Sequence, residues 1–282
     1  MFLLPVFVFL AIYLLYPIIN TFQISLYSWS GLVSFKEAIF IGFKNYSDLM
    51  HDWIFWIALK NTTIYLILTL IFRNFFGFTL ALALYYSSNK AGKLWRAIIF
   101  FPAVLSPVII GLIFKLIFAK VGPVNDLLRL VGLDFLARPW LGVPTTGIYV
   151  IAIVNIWQWS GFDMVLYYAG LQSVDVELFE AARLDGANEW QVISKIILPL
   201  LSGIITLVMV LNIIGGLKVF EIVYVMTLGG PAYQTEVLTH YAYRLSFGAY
   251  DNKMGLGAAV SIALSIIIFV VSLVRLKIVK ED

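Results

Sequence analysis

No cysteine occurs in the 282 residues. That excludes disulfides, thiol nucleophiles and thiolate-held metals, and leaves the redox compartment open. Charge is scarce as well. Only 12% of residues are Asp, Glu, Lys or Arg, about half the share usual in soluble domains. The net charge of +3 is small and spread along the chain, so no basic patch exists for nucleic acid. The phosphate-cradling pattern Gly-x-x-x-x-Gly-Lys-Ser/Thr is missing, because Asn89-Lys90-Ala91-Gly92-Lys93 lacks both the first glycine and the hydroxyl. No Gly-x-Ser-x-Gly elbow occurs. Glu236 and His240 stand four apart, but no second histidine completes a zinc-protease pattern, so no metal site is expected. Heptads, tandem repeats and low-complexity linkers are absent too, and the chain reads as one domain, 1–282. What it has in abundance is apolar residues, at 62%. It is an integral membrane protein.

A helical span needs about 20 mostly apolar residues. Six stretches qualify: about 2–21, 62–86, 97–118, 147–170, 193–215 and 254–276. The expected fold is all-α, with six transmembrane helices. The stretch 218–228 is borderline and either extends the fifth span or dips back into the bilayer. The first segment is long enough to span and no small-residue cleavage site follows it, so it reads as a span, not a secretory signal. Lys90, Lys93 and Arg96 crowd one short loop, Arg183 and Lys195 flank another, and Arg275, Lys277 and Lys280 mark the tail. This asymmetry places both termini in the cytoplasm. The loops on the other side look folded; Asn125–Leu133 has helical spacing and a closing glycine at Gly132.

The segment between the fourth and fifth spans differs from all others. Residues 173–186 form a short, charged, alanine-rich stretch expected to be helical. Ser173 is the expected N-cap, Asp175 and Glu177 complement the helix dipole in the first turn, and Gly186 takes the left-handed position that stops the helix. Leu178, Ala181, Ala182 and Asp185 share a face, with Glu180 beside it. An amphipathic connector lying on the headgroups is the plain alternative. Helices that lie on anionic lipid favour Lys and Arg, whereas this one is acidic, which tilts the reading toward a protein partner. Pro199 inside the start of the next span favours a kink there.

The spacing Glu180-Ala181-Ala182, Asp185-Gly186-Ala187, then Ile197-Leu198-Pro199 resembles the cytoplasmic coupling loop of ABC importer permeases. Tyr16-Pro17, Gly42-Phe43-Lys44-Asn45-Tyr46, Asn61-Thr62, Ser106-Pro107, Trp140-Leu141-Gly142 and Leu228-Gly229-Gly230-Pro231 are similar to the carbohydrate-uptake branch, and to the first, maltose/glycerol-3-phosphate-type, of its two permeases. Three features depart from that pattern: Asp175 stands where proline is frequent, a basic N-terminal tail is missing, and the long outer-loop domain of the maltose member has no counterpart. The resemblance implies a prokaryotic plasma-membrane importer core made with a second, unlike permease. Two ATP-binding subunits would carry the ATP and magnesium, so this chain is no enzyme and holds no cofactor, and an extracytoplasmic solute-binding protein would deliver a sugar or sugar-like solute. Glu180, Ala181, Ala182, Asp185 and Gly186 would dock on one ATPase subunit.

Polar groups inside spans are costly and are usually paired or functional. Arg73 in the second span and Asp163 in the fourth either pair and hold the bundle, or Arg73 lines a substrate path and favours an anionic or hydroxyl-rich ligand. Asn155, Trp157, Gln158 and Trp159 offer the amides and aromatic faces that a sugar needs. The resemblance places Asn155 and Gln158 where the maltose-type permease contacts sugar, Gly215, Gly216 and Lys218 near a second such stretch, and Ser106 near a third. Amides that simply bridge helices are the plain alternative. A self-sufficient secondary transporter is the competing class; it would show inverted repeats and a midplane coupling carboxylate, for which Asp163 is the one acid well inside a span.

Overall fold

The computed structural model describes residues 4–87, 92–248 and 252–280. Phe2 and Leu3 of the first expected span, and Lys90 with its neighbours 88, 89 and 91, lie outside the described residues, as do the side chains of Arg275 and Lys280. Helix α1 (Leu4–Ser25) stands almost wholly exposed along its apolar length. A two-stranded antiparallel ribbon, β1 (Tyr27–Ser28) with β2 (Ile39–Phe40), and the short α2 (Lys44–His51) follow. They lead into the 34-residue α3 (Trp53–Tyr86), which begins nine residues before the expected second span because Asp52 caps it and accepts from the Ile54 amide.

The third expected span is not one helix. α4 (Gly92–Val104) and α5 (Pro107–Ile117) meet at 92°. Pro102 inside α4 removes a ladder bond, Ser106 caps α5 by accepting from the Val108 amide at 3.3 Å, and Pro107 occupies its first turn. Helix α6 (Pro123–Leu130) ends on Gly132 with φ 76°, as the closing glycine predicts. α7 (Gly147–Gln172) is the fourth span. α8 (Val176–Leu184) is the charged connector. α9 (Glu189–Leu200) and α10 (Ser202–Leu217) form the fifth span and meet at 72°. α11 (Glu221–Met226) is the borderline stretch, a separate short helix packed against α5. α12 (Leu238–Phe247) precedes the last span, α13 (Met254–Lys280). The molecule thus has four straight spans and two bent ones, six in all, with one two-residue ribbon as its only strand structure among the described residues.

The pairing of α3 with α7 is the spine of the bundle. Small residues let the helices close up. A Cβ on Gly77 would sit 2.8 Å from that of Asp163, and one on Gly161 would sit 2.0 Å from the Ile99 carbonyl oxygen. Close backbone approach is how helices associate where lipid offers no hydrophobic drive. Three apolar clusters are stacked along the bundle. One gathers Phe55, Tyr241 and Ala259, the next Tyr65, Ile151 and Val223, and the third Met164, Leu171, Phe179 and Ile197. The third anchors α8.

Candidate functional site: a connector helix and a polar cavity

The connector is built in two layers. Asp175, two residues after the expected cap, is the N-cap and accepts from the Glu177 amide at 3.1 Å. Ser173 instead terminates α7, where its hydroxyl donates to the Gly170 carbonyl. A β-region backbone at Asp175 lets its short carboxylate reach forward, while Ser173 is still helical. At the other end Gly186 has φ 85°. Its amide donates to Arg183 O and the Ala187 amide to Ala182 O, the paired bonds of a Schellman stop. The helix therefore runs over 176–184, inside the expected 173–186.

Phe179 is the anchor. It is buried between the ends of α3 and α7, with its ring edge-on to Tyr85. Ala182 turns partly inward onto the same cluster, away from the face assigned to it by spacing. Glu180, Ala181, Asp185 and Gly186 are exposed, along with Leu178, Leu184 and Trp190. Arg183 locks α8 to α9 through two bonds to Glu189, at 2.9 and 3.1 Å, and lies over the Tyr86 ring. The Arg183 hydrogen bond holds the Glu189 carboxyl below the usual glutamate range. Asn188 and Gln191 close a reciprocal capping box at the start of α9. A π turn over Ile193–Ile197 follows, and Pro199 precedes the 72° bend at Leu201. The widened turn makes room for the proline ring against the carbonyl four residues back. The exposed acidic helix is thus clasped to α9 by Arg183 and Glu189 and continuous through Ser173 with the end of α7.

Within the bundle, Arg73 and Asp163 pair. The guanidinium donates from Nε to Oδ2 at 3.1 Å and from Nη2 to Oδ1 at 3.0 Å, and both side chains are buried. Asn212 donates to the same carboxylate at 3.0 Å, and the Trp159 ring lies 5.8 Å from the guanidinium. Beside this cluster is a cavity of about 260 Å³. Arg73, Asn155, Gln158, Gly215 and Lys218 line it, so five of the seven residues put forward for the substrate path border one cavity. Ser106 contributes its neighbour Pro107, its own hydroxyl being used as a helix cap. Gly216 faces α3 instead, where a Cβ would meet Leu66 at 2.8 Å. Spacing also missed Tyr65, Asn212 and Glu221 in the wall. A lone amide inside an apolar run was the available signal for Asn212. Helical geometry sorts the aromatic cluster: Asn155, Gln158, Trp159 and Phe162 face the cavity, while Trp157 packs on Phe114 outside it. Among the described residues no cluster of three or more His, Asp or Glu side chains is placed to hold a metal.

A family model described as "Binding-protein-dependent transport system inner membrane component" matches residues 73–280. The chain belongs to that family. The permease is 35% identical, over 99% of its length and 95% of the relative's, to the "Probable ABC transporter permease protein YurN" of Bacillus subtilis. It is also 35% identical to the "Arabinooligosaccharides transport system permease protein AraP" of the same organism, over 94% and 83% of the two chains. Among solved structures it superposes on a chain of a bacterial ABC transporter involved in import of the acidic polysaccharide alginate, with a TM-score of 0.85, 29% identity, and 99% and 94% coverage. A second structure of an alginate transporter, in complex with an alginate-pentasaccharide-bound periplasmic protein, matches with a TM-score of 0.82, 28% identity, and 97% and 91% coverage. The permease is accordingly a membrane subunit of a binding-protein-dependent ABC importer, and the self-sufficient secondary transporter is set aside.

Proposed function

We propose that the permease forms one transmembrane half of a carbohydrate importer, opposite a second, unlike permease. Two ATP-binding subunits carry ATP and magnesium and do the hydrolysis, and an extracytoplasmic binding protein delivers the sugar. Both termini and α8 lie in the cytoplasm of a prokaryotic cell, as the Lys/Arg asymmetry favours. Glu180, Ala181, Asp185 and Gly186 meet one ATPase subunit, with Ala182 supporting them from behind. The named sugars of relatives such as AraP, and the amide-and-tryptophan wall of the central cavity, support carbohydrate as the cargo.

The observation that carries this reading is the two-sidedness of α8. One residue, Phe179, pins it to the bundle while the opposite face, with Ala181 and Leu184, is exposed. A push on that face passes through the Arg183–Glu189 clasp into α9 and the bend at Leu201. Because the chain is free of cysteine, single cysteines report docking cleanly. Ala181→Cys and Leu184→Cys are expected to cross-link to a cysteine-bearing ATPase subunit in membranes, and Phe179→Cys is not. Equal cross-linking from all three, or none from any, would refute the docking face.

A further inference from the structure

Glu236 and His240, which make no zinc motif, are buried all the same: the glutamate is fully enclosed and the histidine 3% exposed. Imidazole Nδ1 lies 2.5 Å from Glu236 Oε1. Ionisable groups are expensive to bury in a bundle, where they are paired and usually functional. Two parts of the fold meet on this pair. On one side is the turn between α11 and α12. A Cβ on Gly229 would stand 2.6 Å from Glu236 Oε2 and 3.0 Å from His240 Nδ1, so backbone is wrapped directly over the pair. The same Oε2 lies 3.6 Å from Arg244 Nε, and the Arg244 guanidinium covers the Tyr233 ring at 4.6 Å. Three non-glycine residues of this turn are left-handed: Leu228, Ala232 and Tyr233, with φ 52°, 46° and 64°. Such backbone persists only where its surroundings hold it, and it gathers at clamps and switches. Asn61 of α3 adds to the hold, donating to the Gln234 and Glu236 carbonyls at 2.9 and 3.0 Å.

On the other side is the wall of the polar cavity. The imidazole stacks on Phe220, with centroids 6.1 Å apart and planes 29° apart, and lies 5.8 Å from the Tyr224 ring. The Thr239 hydroxyl, one residue before, donates to the Val219 carbonyl. Lys218, Val219, Glu221 and Ile222 line the cavity, whereas Phe220 among them meets His240 instead. Residues 218–220 lie in the break between α10 and α11, so contacts from α12 set their place. We propose that Glu236 and His240 are positioning residues for transport: without touching cargo, they hold the 218–222 wall of the cavity in register from α12. The inference rests on the cavity being the cargo path of the proposed importer.

The test is thiol labelling of the assembled importer in membranes, with N-ethylmaleimide as the probe, no cargo added, and labelling read by mass on the permease. Its lack of cysteine lets a single introduced one report alone. Val219→Cys reports the wall, and Met164→Cys, buried in the third apolar cluster, reports the bundle at large. Both are expected to label slowly, because buried thiols react only through local opening. Adding His240→Ala should speed labelling at position 219 about tenfold, the weight of one hydrogen bond to a charged group, and leave position 164 unchanged. His240→Gln, whose amide still reaches Glu236, should restore most of the slow rate. Where His240→Ala does not assemble, Thr239→Val removes only the hydroxyl bond to the Val219 carbonyl and should also speed labelling at 219. An unchanged rate at 219 in an assembled variant overturns the proposal. Equal acceleration at both positions overturns it too, since the pair would then support the whole bundle and not the wall. Either result leaves the carbohydrate reading standing; that reading fails separately, if the assembled importer transports no saccharide.

Discussion

Two ion pairs define the permease at the level of single residues, and they do different work. Arg73–Asp163 is buried, so removing one partner strands a charge in the bundle. Asp163→Ala should cost about 3–5 kcal/mol, and Arg73→Met with Asp163→Leu should recover much of that loss. Thermal unfolding in detergent, read across the four members of the cycle, checks it. Arg183–Glu189 is exposed and acts as a clasp. Its folded carboxyl value is depressed, so whatever it contributes is present above the unfolded glutamate value and is lost as pH falls through the lowered one. A carbon-13 titration of Glu189 should have its midpoint below the usual 4.5, moving back toward that value in Arg183→Gln. A midpoint at 4.5 in the unaltered chain would dissolve the clasp.

Among the elements, the bent spans and the anchored connector matter most. Phe179→Ala should cost about 3–5 kcal/mol of local packing. Hydrogen exchange in 176–187 should rise while the α3–α7 spine stays protected. Pro199→Ala lets the ladder run on through the π turn, so substrate transport should fall while ATP-binding subunits still co-purify. Transport at the wild-type rate would show that the bend is incidental. The connector was largely legible from sequence because its signals are local: a glycine that alone adopts φ 85° easily, an acid beside the first turn, and Pro199. The cap fell two residues late because Ser173 and Asp175 are both good caps by type, and only the end of α7 decides between them. The 92° break of the third span was hidden by an uninterrupted apolar run, although Pro102 and Ser106-Pro107 stood inside it. The cavity wall was half legible. Asn155 and Gln158 stand out by polarity, whereas Gly216 lies against α3 and outside the wall, because which face of α10 meets α3 is a packing fact that one helix's sequence does not encode.

Taken whole, the permease is a membrane bundle with an exposed acidic helix at one end and a polar cavity among its spans, about 260 Å³ in volume. Neither part is sufficient. On the proposed function, an ATP-binding subunit moves the helix and the helix gives transport through the cavity its direction. Whether α8 links them is tested most directly by affinity purification of the permease in mild detergent, co-expressed with the proposed second permease and ATP-binding subunits. Wild-type permease is compared with Glu180→Lys plus Gly186→Arg, which reverses one exposed charge and strains the left-handed stop. The account predicts that the ATP-binding subunits co-purify with the wild type and are lost from the variant, while the second permease stays bound to both. Recovery of the ATP-binding subunits in equal amounts with both forms would contradict it.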